Sequence, residues 1–215
     1  QTIYSTYGAF AALKADGSVV AWGASVNGGT APSSGLTNVQ TIYSAQNAFA
    51  ALKTDGSVVA WGDSDRGGTA PSSGLTNVQT IYSNTFAFAA LKADGSVVAW
   101  GHATNGGTAP SSGLTNVQTI YSTLYAFAAL KADGSVVAWG DSNYGGTAPS
   151  SGLTNVQTIS STQNAFAALK ADGSVVAWGD STNGGTAPSS GLTNIQTIYS
   201  TQYAFAALKA DGSVV

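Results

Sequence analysis

The sequence predicts an all-β protein, a β-propeller of about six short three-stranded antiparallel blades. Three observations predict it. A 39-residue unit recurs along the 215-residue chain, each unit holds three short apolar segments divided by turn signals, and those segments are apolar on both alternating faces. The unit reads TIYS, three variable residues, AFAALKADGSVVAWG, four variable residues, then GGTAPSSGLTNVQ. Five whole units run over 2–40, 41–79, 80–118, 119–157 and 158–196, and a partial sixth over 197–215. Together they are read as one repeat domain.

The elements follow in order within the unit. TIYS is short and rich in β-branched and aromatic residues, which is how a strand reads. AFAALK is a second strand, whose abundant alanine lets neighbouring sheets approach closely. Lys14-Ala15-Asp16-Gly17 is a hairpin signal, because Gly supplies the positive φ that closes a tight turn, so SVVAW returns antiparallel as a third strand. No segment is long enough or shows the 3.6-residue period for a helix longer than a turn. The connector holds Pro32, Pro71, Pro110, Pro149 and Pro188, which argue against a central strand and for a crossing to the next blade. Trp22, Trp61, Trp100, Trp139 and Trp178 each end strand three and are expected to pack between blades. A β-solenoid is the competing architecture, but its parallel strands have no use for an Asp-Gly hairpin in every unit.

Composition excludes several classes. Charged residues are 8% of the chain, with no Cys and no Met, while 43% is hydrophobic, too much for a disordered chain. No apolar run has the length of a membrane span and no targeting signal is recognisable, so a soluble chain without membrane insertion is expected. The net charge is −3 and the basic residues are spread singly, so no nucleic-acid partner is expected. The absence of Cys is compatible with an extracellular or cell-surface setting.

Comparison of the units with one another locates the variation. Of 20 departures from the majority residue, 17 fall at the seven positions of the two variable windows; the others are Thr54, Ser160 and Ile195. In a three-stranded meander both windows emerge at the same rim, and the Asp-Gly turns at the opposite one. The first windows offer Tyr7, Gln46, Asn47, Phe86, Leu124, Tyr125, Gln163, Asn164, Gln202 and Tyr203, and the second offer Asp63, Asp65, Arg66, His102, Asn143, Tyr144 and Asp180. Aromatics, small amides and arginine are the types that recognition surfaces favour, and loops on a rigid scaffold are where such residues vary without unfolding the core. Drift alone would also scatter through exposed positions such as TAPSSG, which never vary.

The string LKADGSVVAWG, followed by variable residues and Gly-Gly, resembles the regulator-of-chromosome-condensation repeat. Asp16-Gly17, Trp22-Gly23 and Asn27-Gly28 match its motif in the first copy, and the short period is closer to bacterial members, which include propeller-type β-lactamase inhibitors. Two positions depart from the family: Ala9-Phe10 stands where a His often precedes strand two, and Gly28-Gly29 replaces the usual Gly-Gln. The resemblance implies a bladed propeller and a protein-binding habit. It implies neither nucleotide exchange nor β-lactamase inhibition, because the loops match no family motif.

Catalytic chemistry finds no constellation. His102 is the one His and no triad spacing surrounds it. Asp63-Ser64-Asp65-Arg66-Gly67 has the start of a calcium loop without its remaining ligands. The hairpin Asp residues read as turn formers and the adjacent Lys as a solvated rim. The expectation is a non-enzymatic recognition module with no catalytic residue, metal or cofactor, binding a protein. The alternatives are a lectin-like propeller for glycans, disfavoured because the windows differ from blade to blade, and a structural or adhesive repeat fragment of a larger surface protein.

Overall fold

The computed structural model describes residues 1–215 and divides into two compact units, Gln1–Ala109 and Pro110–Val215. In the first unit β1 (Thr2–Ser5), β2 (Ala9–Leu13) and β3 (Val19–Gly23) form one meander. A second contains β4 (Val39–Ser44), β5 (Ala48–Lys53) and β6 (Val58–Gly62), and a third contains β7 (Val78–Ser83), β8 (Ala87–Lys92) and β9 (Val97–Gly101). In the second unit the meanders are β10 (Val117–Ser122), β11 (Ala126–Lys131), β12 (Val136–Gly140), then β13 (Val156–Ser161), β14 (Ala165–Lys170), β15 (Val175–Gly179). The sixth sheet holds β16 (Ile195–Ser200) and β17 (Phe205–Lys209), with Val214 bridged to Leu208 at its edge. Every strand pairing is antiparallel. The helical content is five three-residue 3-10 turns, all in the second variable windows. These sheets are the blades of a β-propeller.

Strand one is longer than TIYS in every blade but the first. It starts at Val39 or its equivalent, and the register slips once between Val39 and Thr41. That start is fixed by the preceding hairpin: the Val39 amide donates to the Gly17 carbonyl at 2.9 Å, and the Asn38 carbonyl accepts from Thr54 of the next blade's turn at 2.9 Å. Asn38 holds a φ of 56°, a left-handed conformation that asparagine tolerates. The connector thus stitches successive hairpin turns through main-chain bonds.

Packing between blades is asymmetric. Ala9 and Ala11 of β2 meet Phe49, Ala51 and Trp61 of the next blade, together with Leu36 and Val39 from the connector. The same layer recurs where Ala48, Ala50 and Leu52 meet Phe88 and Trp100, and where Ala126 and Ala128 meet Phe166 and Trp178. Within a blade Phe49 lies opposite Trp61 and stacks on it at 5.2 Å. The indole Nε1 of Trp61, Trp100 and Trp178 donates to the carbonyl of Gly28, Gly67 and Gly145 in the preceding blade at 2.9, 3.0 and 2.9 Å. This close approach explains the Gly-Gly after the second window. A Cβ on Gly28 would stand 2.6 Å from the Phe49 ring, and one on Gly29 would collide with the Gly23 carbonyl.

Two expectations need correction. Trp61, Trp100, Trp139 and Trp178 are buried, but Trp22 of the first blade is 44% exposed. The hairpin lysines are less solvated than the sequence suggests. Lys53, Lys92, Lys131 and Lys170 keep only 17–18% of their side chains exposed, with the ammonium 3.6–3.7 Å from the Asp of their own turn. Their stems lie along the blade surface, as long cationic side chains do.

Candidate recognition face

The two windows of each blade meet at one rim, opposite the Asp-Gly turns. The Asp63 amide donates to the Asn47 carbonyl, His102 to Phe86, Asp141 to Tyr125 and Asp180 to Asn164, all at 2.9–3.0 Å. The first position of window one latches the pair where it is Thr or Asn; Ala45 of the second blade has no such bond to make. Thr123 Oγ1 donates to the Tyr144 carbonyl at 2.8 Å and accepts from the Ala126 amide at 3.1 Å. Asn84 performs both tasks with its amide, donating to the Asn105 carbonyl at 2.7 Å and accepting from Ala87 at 2.8 Å. Sequence reasoning treated this position as one more variable residue. The signal was present in its restriction to Thr, Asn and Ala.

Successive blades are joined along the same rim. Within the first unit the Tyr7 amide donates to the Gln46 carbonyl at 2.8 Å and the Gln46 amide to Thr85 at 2.9 Å. Within the second, Leu124 donates to Gln163 at 2.8 Å and Gln163 to Gln202 at 3.0 Å. These bonds use backbone only, so the side chains at these positions stand in a row without scaffold duties.

The structure gathers the remaining sequence-predicted residues into small clusters. Arg66 bridges two blades: its guanidinium lies 4.4 Å from the centre of the Phe86 ring, Nη1 donates to Asn47 Oδ1 at 2.7 Å, and Nε is 3.6 Å from Asp63 Oδ2. Phe86 also lies against His102, with ring centres 6.3 Å apart. Tyr125 and Tyr144 make an edge-to-face pair at 4.6 Å. Tyr7 at 83% and Tyr203 at 51% exposure stand in solvent, as do Gln46, Asp65, Asn143 and Gln202. Leu124 and Gln163 are half-buried.

Asp63, Asp141 and Asp180 each cap the 3-10 turn that follows, through a carboxylate oxygen accepting the amide two residues on. Asp180 makes the most bonds. Hydrogen bonds from the Thr182 hydroxyl and amide, then from the side chains of Asn183 and Asn164, push its pKa down to about 2. A polar hollow of about 440 Å³ lies beside it, lined by Ser142, Asn143, Gly179, Asp180 and Ser181. A second, apolar cavity of about 270 Å³ lies by Phe205 and Gly184, at the position that a repeat tryptophan fills against Phe166 and Gly145 one blade earlier.

No protein-family model matches the sequence, and no curated protein does. Solved structures do match. Prp20p of Saccharomyces cerevisiae, the yeast RCC1 protein, whose binding properties toward Gsp1p and histones have been studied, superposes with a TM-score of 0.58 at 16% identity, over 99% of this chain and 70% of its own. The ectodomain of the Physcomitrella patens receptor kinase CR4 gives 0.57 at 17% identity over 98% of this chain, which spans 59% of that ectodomain. The CRINKLY WD40 ectodomain of the Arabidopsis thaliana receptor kinase ACR4 gives 0.56 at 17%, over 99% and 82% of the two chains. What this chain shares with them is the fold, an RCC1-like propeller of repeated three-stranded blades.

Proposed function

We propose that the protein is a non-enzymatic recognition module that binds a protein through the rim carrying both variable windows. The observation that carries this reading is the continuity of the rim. Main-chain bonds of 2.8–3.0 Å join window to window, so residues that differ from blade to blade form one extended strip within each unit. A repeated small-ligand site would ask for the same residues in each blade. A strip of differing aromatics, amides and one arginine suits an extended partner with features of its own. Prp20p and the receptor ectodomains lend the reading general support, as propellers associated with protein partners or receptors.

The aromatic clusters are the anchors in this reading. Replacing Phe86, Tyr125 and Tyr144 together by Ser is expected to abolish capture of the partner found in a pull-down with the native protein, while the chain stays folded with an unfolding midpoint lowered only by the loss of Tyr144 packing on the Phe166 and Trp178 layer. Replacing Lys14, Lys92 and Lys170 by Ser alters the opposite rim and is expected to leave capture intact. Loss of the partner in the lysine variant with retention in the aromatic variant would reverse the assignment of faces. A glycan array probed with the native chain tests the lectin alternative, for which strong binding to one sugar class is the deciding result.

A further inference from the structure

The formal charge of this protein is not distributed over its surface. Six of the seven basic residues and six of the ten carboxylates lie in the Lys-x-Asp-Gly turns, where they cancel. The remainder is Arg66 against Asp63, Asp65, Asp141 and Asp180, so the whole net charge of −3 belongs to the variable rim. Such a field attracts cationic partners and repels anionic ones.

Blade two shows how the rim holds a cation. Arg66 spans Asp63 and Asn47, with its guanidinium on Asn47 Oδ1 at 2.7 Å and beside Asp63 Oδ2 at 3.6 Å. Blade five repeats the first two residues as Asp180 and Asn164 but has Asn183 in place of the arginine. The turn is capped alike in both blades, where Asp63 Oδ1 accepts the Asp65 amide at 3.0 Å and Asp180 Oδ1 accepts the Thr182 amide at 2.8 Å, although Thr162, Thr182 and Tyr203 stand where blade two meets Ala45, Asp65 and Phe86. The difference appears at the amide oxygen. Asn164 Oδ1 is enclosed and has no hydrogen-bond partner, whereas Asn47 Oδ1 receives the arginine. An enclosed acceptor without a donor is costly, and a donor that reaches it is favoured. The Asn183 side-chain amide donates instead to Asp180 Oδ2 at 2.8 Å and to Thr182 Oγ1 at 3.1 Å. Rotation of that amide exchanges a single amide donor for a forked cationic one, and charge-assisted bonds of that kind are roughly twice as strong as neutral ones.

We propose that the partner of the variable rim is a basic protein, and that Asp180 and Asn164 seat one of its arginine side chains as Asp63 and Asn47 seat Arg66. The proposal rests on the reading of this rim as a protein-binding surface and specifies the partner's chemistry.

The test uses Nα-acetyl-arginine amide as probe and Nα-acetyl-citrulline amide, its neutral isostere, as control. Each is titrated at low salt into the 215-residue chain labelled with 15N at asparagine, with the Asn164 side-chain signal assigned through Asn164→Asp. Saturable shifts of the Asn164 and Asn183 amides are expected with the arginine probe. The citrulline probe should bind at least about tenfold more weakly. Asp180→Asn should weaken the arginine response, and Asn183→Arg should abolish it by filling the seat from within the chain. Equal responses to both probes, or an undiminished response in Asn183→Arg, would overturn the proposal. The probe does not require the native partner. If pull-down through the aromatic windows succeeds and the titration shows no shift at Asn164, the arginine seat fails while protein recognition stands; the converse result separates them the other way.

Discussion

Trp100 and Trp22 occupy the same position of the repeat, yet they differ about tenfold in exposure. Trp100 is 4% exposed, stacks on Phe88 at 5.2 Å and donates to the Gly67 carbonyl. Trp22 stacks on Phe10 at 5.6 Å but is 44% exposed. Trp100→Ala is therefore expected to lower stability by about 3–5 kcal/mol, as a large-to-small change in a packed layer, and Trp22→Ala by less than half of that. Urea unfolding midpoints of the two variants check the contrast, and equal losses would mean that burial between blades is not what makes the tryptophan necessary. The latch residue allows a finer comparison. Thr123→Ala removes a buried hydroxyl that serves the Tyr144 carbonyl and the Ala126 amide and should cost about 1–2 kcal/mol. Thr123→Asn should be nearly silent, since Asn84 already does the same work in the third blade.

Among elements, the hairpin turn is the most uniform and the most dependent on an ionised group. In all six turns the Asp carboxylate accepts the hydroxyl and the amide of the Ser two residues on, for example Ser96 to Asp94 at 2.6 and 2.9 Å. The Ser hydroxyl bond is the largest cause, and the Ser amide the next, of a pKa held below the ordinary 3.8, with the neighbouring Lys adding to it. A depressed carboxylate contributes stability above its unfolded pKa and loses it as pH falls through the folded one. Stability should therefore be flat from neutrality down to about pH 4.5 and decline below the ordinary carboxylate range. Converting several of these Asp residues to Asn should flatten the decline when unfolding is followed at successive pH values. The turns, the three strands and their order were legible in the sequence because Asp-Gly and short apolar runs act locally. The extension of strand one to Val39 was not, since Val39 and Gln40 join the sheet through a bond to the previous blade's turn, a contact without local signature. For the candidate face, the shared rim followed from meander topology. The pairing of Arg66 with Asn47 and Phe86 did not, because it joins residues 19 and 20 positions apart, the first across one blade and the second on the next.

At the scale of the whole molecule, stability is a sum over blades and the layers between them, so position along the array decides how protected a strand is. β5, β8 and β11 carry an unbroken run of buried residues, while β2 and β17 each leave part of theirs in water. Amide exchange should accordingly be slowest in β5, β8, β11 and β14 and faster in β2 and β17, as hydrogen exchange followed by mass spectrometry of peptic fragments would show. Uniform protection along the chain would mean that unfolding is a single event rather than an erosion from exposed blades. The window latch has a different consequence, for how such a surface is edited. A Thr or Asn secures one loop to the other, an Asp at the start of the second window caps its turn in three blades, and main-chain bonds align the loops across blades. The loop pair of one blade is thus a cassette: Thr123-Leu124-Tyr125 with Asp141-Ser142-Asn143-Tyr144, which carries its own latch and cap, can be moved as a set to another blade. Reordering such cassettes composes new surfaces from parts that already fit, without a new core having to be found for each.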